Sequence, residues 1–220
     1  SIDPAQDILV EMGTGQYRSV ALGRRGRSRL EQLLLGGVSS KVAEYGSHHP
    51  VCIVDCPVRQ TSRVLVAMEN ERESQELADY AADVLALVPG LRFTFLHLMP
   101  PVPPTFWDDG HILESEELKD RQVRIDKWRS DWIQRVEYFM DEARGKLMKR
   151  GVPDSKIDSL ILPVREGIAR DLLNEIDAHE FQVVIMGKKS FRQRKPFLMG
   201  SHASKVLYNV SGVVLCLVDS

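Results

Sequence analysis

The segment Val64-Leu65-Val66-Ala67-Met68 is a continuous apolar run bounded by polar residues. Such a run is typical of a strand that is buried on both faces of a parallel sheet. An amphipathic helix is predicted after it and ends near Pro89-Gly90. The next apolar run, Phe93–Met99, predicts a second strand that ends at a cluster of prolines. The order strand, helix, strand indicates a βαβ unit and decides the fold class.

The remainder of the chain continues this alternation. A long charged helix is predicted from Glu114 to about Lys149, and we interpret its apolar stripe as core. The stripe consists of Val123, Trp128, Trp132, Val136, Phe139, Met140, Ala143 and Leu147. The later predicted elements are a strand Ile157–Leu162, a helix Ile168–Asp177, a strand Val183–Met186, a helix Ser201–Val210 and a strand Val213–Val218. We therefore predict a Rossmann-like α/β fold, an open parallel sheet with helices on both faces and ligands at the carboxyl ends of its strands.

The two ends of the chain are similar to each other. Sliding the sequence along itself without gaps places Val20–Arg25 on Val184–Lys189 and Cys52–Asp55 on Cys216–Asp219. About fifteen identities in about fifty aligned residues indicate copies of one unit. From Thr61 on, about a hundred residues precede the second copy and have no counterpart before the first. We therefore predict that residues 1–58 are the C-terminal half of a first domain and that residues 61–220 are a complete second domain.

Composition and charge exclude several classes of protein. The chain has 220 residues, of which 43% are hydrophobic and 27% charged, as in a folded globular protein. A net charge of -2 gives no basic field for nucleic acid or an anionic membrane, and no apolar run approaches the ~18 residues that span a bilayer. Cys52, Cys56 and Cys216 form no CxxC pair, which favours buried thiols in a reducing, cytoplasmic location.

Metal-binding and nucleophilic sites find no support in the sequence. No His and Cys residues stand at metal-ligand spacing, so we predict no metal. No combination of Ser or Cys with His and Asp can be proposed, so we predict no catalytic residue. His97, at the end of a predicted strand, is interpreted as a hydrogen-bonded structural histidine.

A glycine-rich loop follows the strand that ends at Leu22. Gly23-Arg24-Arg25-Gly26 is followed by nine residues and then by Gly36-Gly37-Val38-Ser39. Glycines at a strand end let backbone N–H groups approach a ligand. The second glycine pair places free amides at a helix N-terminus, where the helix dipole favours a phosphate. Arginines in the loop suit phosphate oxygens, so the loop predicts a nucleotide-phosphate site.

With this loop, the sequence resembles the universal stress protein family, specifically its members with two domains in tandem. Gly23–Ser39 resembles the family's ATP-binding Gly-x2-Gly-x9-Gly-Ser/Thr signature, and Gly187–Ala203 is its partner in the second copy. Val64–Glu71 resembles the family's first strand and loop, where an acidic residue, here Glu69, meets the nucleotide. The nucleotide-binding residues that the loop and the resemblance imply are Gly23, Arg24, Gly26, Gly36, Gly37, Ser39, Glu69, Gly187, Lys188, Ser190, Gly200 and Ser201.

The two copies depart from the signature in different ways. In the first copy, Gly37 stands where the signature has a small hydroxyl residue, and Ser39 follows within a turn. In the second copy, Ser190 stands at the second glycine, while Gly200-Ser201 is intact. The better phosphate loop thus belongs to the copy that has no predicted first and second strands.

The resemblance also has implications for assembly and function. In the family the last strand pairs antiparallel with its equivalent, which here implies a pseudo-dimer through Val51–Val54 and Val213–Val218, with Cys52 close to Cys216. The leading hypothesis is a regulatory protein that binds ATP or a related adenine nucleotide. The alternative is an interaction module of the same family that binds no nucleotide and acts through self-association. Slow ATP hydrolysis has only the resemblance behind it, so enzymatic activity stays open.

Overall fold

The chain forms an α/β structure. This structure, a computed structural model, describes residues 3–24, 35–46, 49–55, 62–107, 110, 114–188 and 199–219. The strands are β1 (Val20–Gly23), β2 (Val51–Val54), β3 (Arg63–Ala67), β4 (Arg92–Met99), β5 (Ile157–Pro163), β6 (Val183–Gly187) and β7 (Val214–Val218). The helices are α1 (Pro4–Thr14), α2 (Gly37–Tyr45), α3 (Glu71–Tyr80), α4 (Ser115–Lys149), α5 (Ile168–Ala178) and α6 (Ser201–Asn209). A π-helical turn, Ala81–Leu85, continues α3.

The strands form one sheet of seven in the order β1-β2-β7-β6-β3-β4-β5. Neighbouring strands are parallel except for β2 and β7, which are antiparallel. Because this junction reverses the strand direction, β1 runs opposite to β6. The carboxyl ends of β1 and β6 therefore lie on opposite sides of the sheet, at opposite ends of the strands.

Cys52 and Cys216 face each other directly at the antiparallel junction. The Asp55 N–H donates to the Val213 carbonyl, which marks the pair formed by these two residues as hydrogen-bonded. Since hydrogen-bonded and non-hydrogen-bonded pairs alternate along antiparallel strands, the cysteines occupy a non-hydrogen-bonded pair, where side chains approach most closely. Their sulfurs lie 2.8 Å apart as free thiols, and Cys52 also contacts the Tyr80 hydroxyl at 3.0 Å.

Two hydrophobic layers cover the two faces of the sheet. Alternate residues of β3 serve different layers: Val64 and Val66 face α3 and α4, while Leu65 faces α5 and α6. Leu77 and Phe139 fill the first layer, in which Cys52 also lies. The second layer extends to α1 and α2. Burial of such side chains contributes about 1.5–3 kcal/mol each, so both layers hold the sheet in place.

The helix ends follow from local sequence signals. Asp3 caps α1 by accepting from the Ala5 N–H, and Pro4 occupies the first helical turn, where it costs no hydrogen bond. Glu114 and Glu117 form a reciprocal capping box at the start of α4. The chain leaves α4 through Gly151, whose φ of 92° lies in the left-handed region that favours glycine.

The internal repeat is visible in the element boundaries. The register that aligns the two copies places α1 on α5 and α2 on α6 with the same first and last positions. In the same register β1 falls on the last four residues of β6, and β2 falls within β7. Similar sequence therefore builds the same succession of helix, strand, helix and strand at both ends of the chain.

The elements expected from Val64 onward are confirmed, with small changes at their ends. The helix expected to continue toward Pro89 instead widens into the π-helical turn. The expectation that Val123 belongs to the buried stripe of α4 is wrong, since its side chain is 66% exposed. Val136, Phe139, Met140, Ala143 and Leu147 are buried, so the C-terminal part of α4 is the part that packs on the sheet.

Candidate functional site

A cavity lies at the carboxyl ends of β3, β4 and β6, beside the first turns of α5 and α6. Its walls are largely apolar and include Leu96, Leu98, Leu172 and Met186. The polar lining comes from Glu69 and Glu73, which follow β3, and from His202 in the first turn of α6. Gly187 and Gly200 complete the rim. This is where ligands bind in open parallel sheets.

Glu73 brings a buried carboxyl group to this cavity. Its residue is 5% exposed, and a Cβ built on Gly187 would lie 2.6 Å from Glu73 Oε1. The carboxyl thus fills the space that the missing side chain of Gly187 leaves. Burial, followed by the negative charge of Glu69, raises the pKa of Glu73 to about 8. The residue is therefore a neutral acid at pH 7, in contact with the end of β6.

The first turn of α3 sets the position of Glu73. Asn70 is the N-cap, and its side-chain oxygen accepts from the Glu73 N–H at 3.0 Å. The Asn70 amide group also lies 3.4 Å from Glu73 Oε2. The pattern Asn-x-x-Glu is that of a capping box, in which the glutamate turns back to the helix start. Here the glutamate instead turns inward to Gly187.

Asp171 shapes the loop that enters α5 beside the cavity. Its carboxylate accepts from three consecutive backbone N–H groups, those of Arg165, Glu166 and Gly167, at 2.8, 3.1 and 3.3 Å. Burial alone would raise the pKa of Asp171, but these donors outweigh it and lower the pKa. Gly167 has a φ of 124°, which a residue with a side chain would adopt only under strain. The loop is thereby held in one conformation next to Ile168 on the cavity wall.

His97 connects the cavity wall to α4. Its Nδ1 lies 2.9 Å from the carbonyl of Met68, a lining residue, and its Nε2 accepts from the Trp132 indole N–H at 3.0 Å. The second contact requires the neutral tautomer with its proton on Nδ1. Burial lowers the pKa of His97, which agrees with that form. The structural role expected for His97 is confirmed.

Both glycine loops close in the same way. In the first, the Gly36 N–H donates to the Arg24 carbonyl at 2.8 Å, and in the second the Gly200 N–H donates to the Lys188 carbonyl at 2.8 Å. Gly36 and Gly200 are the N-caps of α2 and α6, with closely similar backbone angles. A helix has no internal partners for the amides of its first turn, and neither N-cap glycine supplies a side-chain cap.

Arg24 and Lys188, the basic residues at the start of the two glycine loops, donate hydrogen bonds to carbonyls at helix C-termini. Arg24 is 7% exposed and donates to the carbonyls of Leu207 and Tyr208, at the end of α6, at 2.9 and 3.1 Å. It also lies 3.6 Å from the buried carboxylate of Asp55. Lys188 is 3% exposed, and its ammonium group donates to the carbonyl of Gly46 at the end of α2. A cation is favourable at a helix C-terminus, where the dipole is negative.

The residues implied as nucleotide ligands fall into two groups. Glu69, Gly187 and Gly200 line the cavity, and Ser201 follows Gly200 as the first residue of α6. The other group lies at the carboxyl end of β1, on the opposite side of the sheet, and consists of Gly23, Arg24, Gly36, Gly37 and Ser39. There the Ser39 hydroxyl donates to the Gly23 carbonyl at 2.7 Å. The side chains of Arg24 and Lys188 bind helix carbonyls, as described above. Gly26 and Ser190 lie outside the described residues.

Sequence reasoning missed Glu73 and His202. The Asn-x-x-Glu pattern marks Glu73 as a helix cap but gives no sign that it is buried. His202 lies in the register position of Val38, so the repeat offers no signal for it either. Its Nδ1 is buried and has no hydrogen-bond partner among the described residues. The cavity therefore contains one neutral acid and one ring nitrogen available to a ligand.

The described residues contain neither a metal-binding cluster nor a membrane-spanning helix. There, no group of three or more His, Cys, Asp or Glu side chains could hold a metal ion. In the same ranges, no helix combines the length and the apolar character that a membrane crossing requires.

The fold and the cavity define the class, an α/β protein with a cavity at the carboxyl ends of parallel strands. The sequence profile of the universal stress protein family matches residues 60–217. Because the match covers most of the chain, the chain belongs to the universal stress protein family. Among curated proteins, no sequence matches the chain.

Solved structures show the same fold. A universal stress protein from Archaeoglobus fulgidus DSM 4304 is 20% identical, with a TM-score of 0.60 over 99% of this chain and 67% of that one. A functionally unknown protein from Pseudomonas aeruginosa PAO1 is 16% identical, with a TM-score of 0.59 over 98% of this chain and 67% of that one. The universal stress protein UspA from Lactobacillus plantarum is 12% identical, with a TM-score of 0.51 over 73% of this chain and 99% of that one. This chain thus spans about two thirds of the length of the first two.

Proposed function

We propose that this protein is a regulatory protein that binds ATP or a related adenine nucleotide in the cavity at the ends of β3 and β6. The observation that carries the proposal is the meeting of Glu69, Gly187 and Gly200 around one apolar cavity. The apolar walls suit a base, and the first-turn amides of α6 suit a phosphate. Ser201 and the second loop, with Ser190, belong to the same proposed site.

We further propose that the chain is organised as a pseudo-dimer. In this organisation residues 1–58 form part of one unit, residues 61–220 form the other, and β2 and β7 join them. The first glycine loop, Gly23 to Ser39 with Arg24, Gly26, Gly36 and Gly37, would then face a second nucleotide position on the opposite side of the sheet. The support is the antiparallel pairing of equivalent strands and the reciprocal contacts of Arg24 and Lys188.

The proposal is tested by measuring whether the purified protein carries a bound nucleotide or binds an added one. We expect the heat-released supernatant to contain ATP or AMP, or added ATP to raise the melting temperature and give a measurable Kd by calorimetry. Absence of nucleotide together with absence of any thermal shift or heat of binding would overturn the proposed function. It would favour the alternative, an interaction module that acts through self-association.

Gly200→Val and Gly36→Val test where the nucleotide binds. Both positions are helix N-caps with φ near -60° and extended ψ, so valine fits the backbone equally well at either. A branched side chain at Gly200 would block the approach to the α6 amides, and we expect ATP affinity to fall at least tenfold. Gly36→Val changes the equivalent glycine at the proposed second position and should leave the affinity of the cavity at β3 and β6 unchanged. The reverse result would move the site to the β1 edge and contradict our assignment.

The alternative has two observations in its favour. Glu73 fills the space above Gly187, and the two loop cations are engaged by helix carbonyls rather than left for a phosphate. A protein that used its glycines only for internal packing would show this arrangement. The calorimetric experiment separates the two functions, because the interaction module gives no heat with ATP, AMP or adenosine.

A further inference from the structure

We propose that the protonation state of Glu73 decides whether an anionic ligand can bind beside Gly187. A phosphate binds there while the Glu73 carboxyl is protonated and is rejected once the proton is lost. This inference rests on the proposed nucleotide site and concerns its regulation. It gives Glu73 a role as a specificity-determining residue for anionic ligands.

The geometry places Glu73 on the cavity wall, against the end of β6. Its Oε1 lies where a side chain of Gly187 would begin. The residue after Gly187 is tied to the start of α6, because the Lys188 carbonyl accepts from the Gly200 N–H at 2.8 Å. A phosphate held by the first-turn amides of α6 would therefore stand beside the Glu73 carboxyl, at the same rim of the cavity.

The charges around Glu73 do not favour its ionised form. Glu69, on the loop after β3, and Glu76, one turn along α3, both add negative charge. The backbone N–H groups of Gly187 and Glu69 act in the opposite direction. From α6 the cavity receives His202, while the nearby lining residues of β4 and α5 are apolar. Among the described residues that line the cavity, none supplies a permanent positive charge to offset a glutamate and a phosphate together.

Two like charges held close together at a buried carboxyl group repel each other, so ionised Glu73 would weaken the binding of a phosphate beside it. The pKa of Glu73 is raised to about 8, so the transition falls just above neutral pH. Below it, the protonated carboxyl is neutral and can also donate a hydrogen bond to a phosphate oxygen. By linkage, phosphate binding must raise the proton affinity of Glu73 and draw in a proton at alkaline pH.

The test compares wild type, Glu73→Gln and Glu76→Gln by calorimetry with ATP and with adenosine, from pH 7 to 9.5. For wild type we expect the Kd for ATP to rise about tenfold between pH 7 and 9, with proton uptake at pH 8.5 seen in buffers of different ionisation enthalpy. Glu73→Gln should bind ATP with a Kd that is flat over this range and without proton uptake. Glu76→Gln, which removes a charge from the same helix without touching Gly187, should retain the wild-type slope.

The possible results separate the role of Glu73 from the proposed nucleotide binding itself. Parallel pH profiles for wild type and Glu73→Gln would overturn the role of Glu73 while leaving nucleotide binding intact. An equally steep fall for uncharged adenosine would also overturn it, because no phosphate is then involved. If neither protein binds ATP or adenosine at pH 7, the proposed function itself fails, and the role of Glu73 in it falls too.

Discussion

Glu73 is expected to make the stability of the folded protein depend on pH. Its pKa is about 8 in the folded chain, against about 4.3 for an unperturbed glutamate. Between these values the folded state holds a proton that the unfolded state has lost. Stability therefore decreases as pH rises through this window and levels off above pH 8.

The variant Glu73→Gln removes that dependence. Its free energy of unfolding relative to wild type should increase from pH 5 to pH 8, by about 2–4 kcal/mol. Urea unfolding at a series of pH values measures this difference. Glu76→Gln, the control, should keep the pH dependence of wild type, with its midpoint moved slightly to lower pH because Glu76 helps to raise the pKa of Glu73. A Glu73→Gln difference that stays constant across pH would show that the carboxyl is ionised in the folded protein.

Asp171 has the opposite protonation behaviour. Because three backbone N–H donors lower its pKa, its stabilising contribution is full above pH about 4 and is lost as pH falls below that. We expect Asp171→Ala to cost about 1–3 kcal/mol at pH 7, since the donors are left unsatisfied. Chemical denaturation measures the loss. Asp177→Ala, an exposed position of the same helix, should change the stability by less than about 0.5 kcal/mol.

The antiparallel pairing of β2 with β7 leads to a prediction about cysteine oxidation. Cys52 and Cys216 face each other at a non-hydrogen-bonded pair, so a diazene oxidant should join them in one disulfide. The two thiols would lose two protons and two electrons, and the diazene would be reduced to the hydrazine. Peptide mass mapping should find the linked peptides, also in a Cys56→Ser variant. A disulfide to Cys56 in place of this pair would contradict the register.

The strands and helices from Val64 onward could be predicted because each carries its own period. A strand buried on both faces appears in the sequence as a continuous apolar run, and α4 appears as apolar residues repeated at 3.6-residue spacing. The expectation for Val123 failed because Val123 is off this period: it lies five residues before Trp128, about 140° around the helix, whereas Ile125, seven residues before Trp132, lies on the stripe and is buried.

The candidate site was predictable to a smaller extent. Gly187 and Gly200 were proposed from the resemblance of the second copy to the family signature, and Glu69 from the resemblance of Val64–Glu71 to the family's first strand and loop. Glu73 was missed, because its burial depends on a glycine that arrives from a distant strand. The partner of Arg24 was missed for the same reason, since α6 comes near β1 only after β2 and β7 have paired. Contacts between distant segments decide both cases.

At the scale of the whole molecule, Arg24 connects the two ends of the chain. Arg24→Met would remove two hydrogen bonds to α6 and leave Asp55 buried with less compensation, so we expect a loss of about 3 kcal/mol. Arg24→Met with Asp55→Asn should recover part of it, which a double-mutant cycle of urea unfolding measures.

Lys41→Met is the control for this cycle. It breaks an exposed, solvent-screened ion pair with Asp3 and should have little effect on stability. If Arg24→Met were no more harmful than Lys41→Met, the contact between Arg24 and the end of α6 would be of no consequence for stability.

The antiparallel junction has a further consequence for communication within the molecule. Because it reverses the strand direction, the carboxyl ends of β1 and β6 lie on opposite sides of the molecule, at least the length of a five-residue strand, about 17 Å, apart. Ligands bound at these two strand ends would therefore not contact each other. The described contacts that connect the two sides include the β2–β7 pairing and the hydrogen bonds of Arg24 and Lys188 to the opposite helices, so any coupling between the two positions would involve these contacts.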